Sequence, residues 1–199
     1  NDFVHAGNNK GCEKKTDVTS NIEKPYLISE YNGHMYPTKA FDWEEHRVEH
    51  ALRHARVLNA VALEEDIAGC FGWCMFDYNT HKDFGSGDRI CYHGVMDMFR
   101  NPKMAAAVYA CQQEEEIVME VSSAMDIGEH LECKLGKIFI FTNADSVKMY
   151  KNGELIKEYF PKNKHFPHLK YSPILVDDFI GDAIVKNEKY PTVNKNRLK

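Results

Sequence analysis

The sequence predicts an α/β segment followed by an all-β segment, with the change falling near residue 114. Two observations predict it. Between residues 26 and 113, apolar runs too short for helices alternate with stretches whose apolar residues recur every three or four positions, the strand–helix alternation of a parallel sheet. From residue 117 onward the pattern becomes short period-two runs separated by turn residues, the mark of antiparallel strands and a β-sandwich candidate.

Residues 1–23 mix Gly, Asn, Lys and Thr without periodicity and read as a surface loop. Tyr26-Leu27-Ile28-Ser29-Glu30, between Pro25 and the turn-forming Asn32-Gly33, reads as a buried strand ending at Glu30. Asp42, with Glu45 three residues on, has the spacing of a capping box and predicts a helix running to about Leu63. Val48, Ala51, Leu52, Ala55, Leu58 and Ala62 would form its one buried stripe. Ile67 to Phe76 is nearly all apolar, as expected of a strand covered on both faces. A Gly-rich polar loop, Asn79 to Asp88, leads on to a second helix from Lys103 to about Gln113. The acidic triplet Glu114-Glu115-Glu116 then reads as a solvated helix end. Strands are expected at 117–121, 137–141, 146–150 and 154–159, the last two joined by Asn152-Gly153, both of which tolerate the positive φ of a type I′ turn.

Bulk composition narrows the function classes. The 199 residues carry 25 Lys and Arg against 30 Asp and Glu, a net charge of −5, with no basic stripe for phosphates, so nucleic acid is not expected as a partner. No run approaches the roughly 18 apolar residues of a membrane span, and no membrane partner is expected. The six cysteines, at 12, 70, 74, 91, 111 and 133, lack the spacing of a disulfide scaffold and read as reduced core residues, which favours the cytoplasm over secretion. Cys70, Cys74, Cys91 and His93 can be written as a zinc set, but they sit in apolar strand sequence, so no metal or other cofactor is expected. His46-Arg47-Val48-Glu49-His50 spells the H-x-x-E-H of inverted zinc peptidases. Helical phase argues against it: both histidines fall opposite the apolar stripe and are expected to face water.

Glu30 stands out as a carboxylate at the carboxyl end of an apolar strand, where the catalytic residues of βα barrels sit. A Glu leaving a strand commonly just reaches solvent, so position alone does not decide. Trp73, near the end of the next strand, would bring a flat ring to the same rim, suited to the apolar face of a pyranose.

These residues carry a resemblance. Ile28-Ser29-Glu30-Tyr31-Asn32-Gly33-His34-Met35-Tyr36-Pro37-Thr38-Lys39, then Gly69-Cys70-Phe71-Gly72-Trp73-Cys74-Met75-Phe76-Asp77-Tyr78-Asn79, resembles glycoside hydrolase family 2, especially its bacterial β-galactosidases. The likeness continues through Tyr92-His93-Gly94 and Arg100-Asn101-Pro102-Lys103 to Gln113, while residues from 117 to about 187 look like the immunoglobulin-like domain that follows the barrel in that family. It implies residues 1–113 as the last two βα units of a (β/α)8 TIM barrel and 114–199 as an immunoglobulin-like β-sandwich. It also implies Glu30 as the nucleophile of retaining hydrolysis, with Trp73, His34, Tyr31 and Asn32 on the sugar side, Tyr31 helping to keep Glu30 ionised. The implied substrate is a β-galactoside or related carbohydrate. The family's acid/base Glu has no equivalent in these residues, so the chain alone is expected to be inactive, and its open barrel edge to promote self-association. A non-catalytic carbohydrate-binding or interaction module is the alternative.

Overall fold

In the computed structural model, the structure describes residues 11–33, 36–81, 89–126, 135–161, 164–187, 189 and 191–193. It is a mixed helix and sheet molecule. A single helical turn, α1 (Lys15–Val18), interrupts the expected N-terminal loop. Strand β1 (Tyr26–Tyr31) then feeds helix α2 (Glu44–Val61), which crosses over to β2 (Ile67–Gly72). The two strands pair in parallel, from Tyr26 opposite Ile67 to Tyr31 opposite Gly72, with register irregularities at both ends of the ladder. A small antiparallel pair follows, β3 (Tyr78–Asn79) with β4 (Ile90–Cys91), and then helix α3 (Met104–Ala110).

Local chemistry shifts several expected boundaries. Asp42 does not cap α2: its carboxylate accepts the Lys39 amide at 2.7 Å, and Trp43 takes the cap position with no side-chain bond. The run from Ile67 leaves the ladder after Gly72, because Val95 and Met96 donate to the carbonyls of Cys74 and Met75 and draw that stretch onto the segment before α3. Nor do the described residues cover the sheet on both faces, since Leu27 of β1 is 48% and Phe71 of β2 61% exposed.

The second half is antiparallel. β5 (Met119–Val121), β6 (Ile138–Thr142) and β9 (Ile174–Val176) form one sheet with β6 central, and β7 (Val147–Lys151) pairs with β8 (Glu154–Tyr159) in a hairpin. At its turn Asn152 and Gly153 have φ of +52° and +84°, the left-handed pair that a type I′ turn requires. A short helix, α4 (Ala183–Asn187), comes last. β9 was not legible as a strand: Ile174-Leu175-Val176 is too short to display a period.

Every residue of β6 is buried, because both of its faces meet apolar partners. Ile138 and Ile140 pack with Tyr159, Ile174 and Val176 beneath the hairpin. Phe139 and Phe141 turn the other way, joining Phe166 and Leu169 against Val48, Ala51, Leu52 and Ala55 of α2 and Met104, Ala105 and Val108 of α3. One hydrophobic core therefore runs across residue 114. The exposed triplet Glu114-Glu115-Glu116 crosses above it, held by the buried Asn143. Asn143 donates to the carbonyls of Gln113 (2.9 Å) and Glu116 (2.6 Å) and accepts the amide of Val118 (2.8 Å). Among the described residues, no helix is long and apolar enough to cross a membrane.

Candidate active site

The parallel register brings the carboxyl ends of β1 and β2 side by side. Glu30 is the penultimate residue of β1 and half-buried; Trp73 follows β2 directly, and its backbone N–H donates to the Tyr31 carbonyl at 2.8 Å. The Trp73 ring is 40% exposed, packs edge-on to Tyr78, and donates its indole N–H to the Tyr78 hydroxyl at 3.3 Å. Asn32 ends the strand in a left-handed conformation, φ +56°. His34 lies outside the described residues.

Tyr31 corrects an expectation. Its side chain is fully buried, and its hydroxyl bonds the Tyr109 hydroxyl of α3, which in turn shares a 2.7 Å hydrogen bond with His54 Nδ1. That hydroxyl is committed to the interior rather than to the Glu30 carboxylate. A bulge between Ile28 and Tyr31 explains the turn inward, since it breaks the simple alternation that sequence reading assumes. Burial raises the Tyr31 and Tyr109 phenols, so both hydroxyls keep their protons. Gly72 makes room for the pair: a Cβ there would stand 2.6 Å from the Tyr109 oxygen.

His50 is a second correction. It is 4% exposed and His54 is 1%, so neither faces water. An amphipathic reading assumes one buried face, whereas α2 has two. Its aliphatic stripe packs on α3 and β6, while His54 points to Tyr31 and Tyr109, and His50 to Tyr36 and His54. Burial holds His50 well below the usual histidine range, helped by His54, Lys103 and His93, and takes His54 down to about 3. Both rings are neutral at pH 7. The peptidase-like H-x-x-E-H is occupied otherwise: Glu49 is bound by Arg56 at 2.7 and 2.8 Å and by Arg53 at 3.3 Å, and His46 bonds the Pro37 carbonyl and stacks on Tyr36. Among the described residues, no group of His, Cys, Asp and Glu is arranged to hold a metal ion.

One buried ion pair fixes the loops around this rim. Lys103 Nζ lies 2.6 Å from Asp77 Oδ1 and 2.6 Å from the Thr38 carbonyl, and Gly94 donates to the same Asp77 oxygen at 2.8 Å. Loops following β1, β2 and β4 thus converge on a single ammonium. Burial pushes the Asp77 carboxyl up, opposed by the hydrogen bond and charge of Lys103. Sequence reading missed the pair; its available signal was one charge inside each of two apolar stretches, Phe76-Asp77 and Pro102-Lys103.

A small cavity opens at the same end of the strands, lined by Asn32, Tyr36, His50, Arg53, His54, Trp73 and His93. It joins two of the expected sugar-side residues, Asn32 and Trp73, to three histidines that sequence reading had not placed there.

Comparison with known proteins places the chain. It is 49% identical over 181 residues to a β-galactosidase from Thermoanaerobacterium thermosulfurigenes, covering 89% of this chain and 25% of that protein. A β-galactosidase from Thermoanaerobacter pseudethanolicus is 38% identical over 176 residues, covering 87% and 23%. The chain thus spans about a quarter of the length of these curated relatives. Among solved structures, a β-glucuronidase from glycoside hydrolase family 2 superposes with a TM-score of 0.55 at 19% identity, covering 85% of this chain and 18% of that one, a likeness of fold. No family model matches. On its sequence likeness to these enzymes, the chain belongs to glycoside hydrolase family 2, beside the bacterial β-galactosidases.

Proposed function

We propose that this chain is the part of a retaining β-galactosidase that carries the nucleophile, Glu30. The observation that carries the reading is the pairing of 49% identity to a bacterial β-galactosidase with a parallel register that sets Glu30 and Trp73 at adjacent strand ends. In this reading residues 1–113 are the last two βα units of a TIM barrel and 114–199 an immunoglobulin-like sandwich. The β1–α2–β2 crossover and the β-rich second half support that division.

Retaining hydrolysis needs two carboxyl groups about 5 to 5.5 Å apart. Glu30 attacks the anomeric carbon to form a glycosyl ester, while an acid supplied by the remainder of the enzyme protonates the departing oxygen and then activates water. Trp73 offers a face to the sugar ring, and Asn32 and His34 offer hydrogen bonds to its hydroxyls. Tyr31 serves this site from behind, by anchoring the end of β1 to α3.

The 199-residue chain alone is expected to give no appreciable turnover of a chromogenic β-galactoside, and ordinary turnover would refute that. Co-expression with the preceding barrel segment of a bacterial β-galactosidase is expected to restore hydrolysis. A Glu30→Gln chain should restore none; equal activity from that variant removes Glu30 from the role.

A further inference from the structure

We propose that Asn152 is a modification site, where the side-chain amide is lost as ammonia and replaced by a carboxylate, and that the fold spares Asn32, which heads the same dipeptide. The sequence holds two Asn-Gly pairs, Asn32-Gly33 and Asn152-Gly153. Glycine after asparagine favours this reaction, because no Cβ shields its backbone nitrogen. Backbone conformation does not separate the two sites: Asn32 and Asn152 both stand in the left-handed region, with φ of +56° and +52°. That conformation turns the next nitrogen away from the side-chain carbonyl carbon, so each site must open before it reacts.

The cost of opening separates them. Asn152 and Gly153 are exposed, and a Cβ built on Gly153 would find no atom within 4 Å. Lys151 opposite Glu154 is the last rung of the hairpin, so opening the tip disturbs that rung alone. At the other site the Asn32 amide nitrogen is shut off from solvent. Its neighbour Tyr31 is fully buried, and the Tyr31 carbonyl accepts the Trp73 amide at 2.8 Å, so opening there would uncover the end of β1.

The reaction needs water and hydroxide and no other reagent. Hydroxide takes the Gly153 amide proton, the nitrogen bonds to Asn152 Cγ, and the side-chain nitrogen leaves as ammonia, giving a cyclic imide. Water then adds to either imide carbonyl and breaks its bond to the ring nitrogen. Cleavage on the side-chain side yields aspartate; cleavage on the main-chain side yields isoaspartate, whose backbone gains a methylene. Either product adds a negative charge to the formal −5. Aspartate keeps the hairpin, since Asp-Gly suits the same type I′ turn. Isoaspartate lengthens a two-residue turn and pulls on Val147, Met149 and Tyr159, which pack over Ile138 and Ile140.

The test holds the whole chain at mildly alkaline pH in water enriched in oxygen-18, folded and again in urea, and maps its peptides by mass spectrometry. In the folded chain oxygen-18 is expected to enter residue 152 roughly tenfold faster than residue 32 or more, and in urea at comparable rates. An Asn152 that stays intact in the folded chain, an Asn32 that reacts as fast there, or intact asparagine at both positions in urea would overturn the proposal. Asn152→Asp is expected to melt with the parent chain, and the purified isoaspartyl form below it. Equal midpoints for those two forms would overturn the expected damage to the hairpin.

Discussion

Replacing Lys103 by methionine would leave the Asp77 carboxyl buried against two loops with its cation gone. Breaking such a pair on one side typically costs about 3–5 kcal/mol, and urea unfolding should show a loss of that order. Lys103→Met combined with Asp77→Leu should lose less than Lys103→Met alone, because no charge is then stranded. His50 and His54 give a pH dependence with a definite sign. Their folded values lie below the ordinary 6.5, so the unfolded chain binds more protons as pH falls beneath about 6.5. Stability is full above that pH and declines by up to about 1.4 kcal/mol per histidine per pH unit on the way to pH 4. Thermal melts from pH 7 to 4 should show it, and His54→Gln should flatten the slope. What sequence reading could see at this scale were residues that announce themselves locally, such as Glu30 closing an apolar strand. The Tyr31–Tyr109–His54 chain was invisible, because its members lie on three elements and the two phenols are 78 residues apart.

Among the elements, the β7–β8 hairpin was the most legible, since Asn152-Gly153 encodes its turn in two residues. Gly153→Ala meets no neighbour within 4 Å, yet its φ of +84° penalises any Cβ. A loss of about 1 kcal/mol is expected from chemical denaturation, without change in the rest of the fold. α2 was legible as a helix but not in its surroundings. Its histidines obey the same 3.6-residue repeat as its aliphatic stripe, and periodicity does not say how many sides are covered. β2 was read too long for a related reason: Cys74 to Phe76 is as apolar as a strand, but the Cys74 and Met75 carbonyls accept from Val95 and Met96 instead of continuing the ladder with β1.

Across the whole molecule, the shared core predicts one unfolding transition rather than two. Both tryptophans, Trp43 and Trp73, lie in the first half, whereas five of the nine described strands lie in the second. Tryptophan fluorescence and far-ultraviolet circular dichroism should therefore report the same midpoint, and separated midpoints would show that the halves fold independently. The face of β1 and β2 that the described residues leave uncovered, with Leu27 and Phe71 exposed, also predicts self-association. Light scattering should find an average mass that rises with concentration; a monomer throughout would count against it.

Asn143 carries a practical consequence for anyone cutting or fusing this chain. The acidic triplet has the composition of a tether, and it would be the natural place to insert a spacer or a protease site. A single amide spans it, however, gripping Gln113 before it, Glu116 at its end and Val118 beyond. Added length there would not loosen a tether but pull a rivet, and the damage would appear in the packing of Phe139 and Phe141 beneath it.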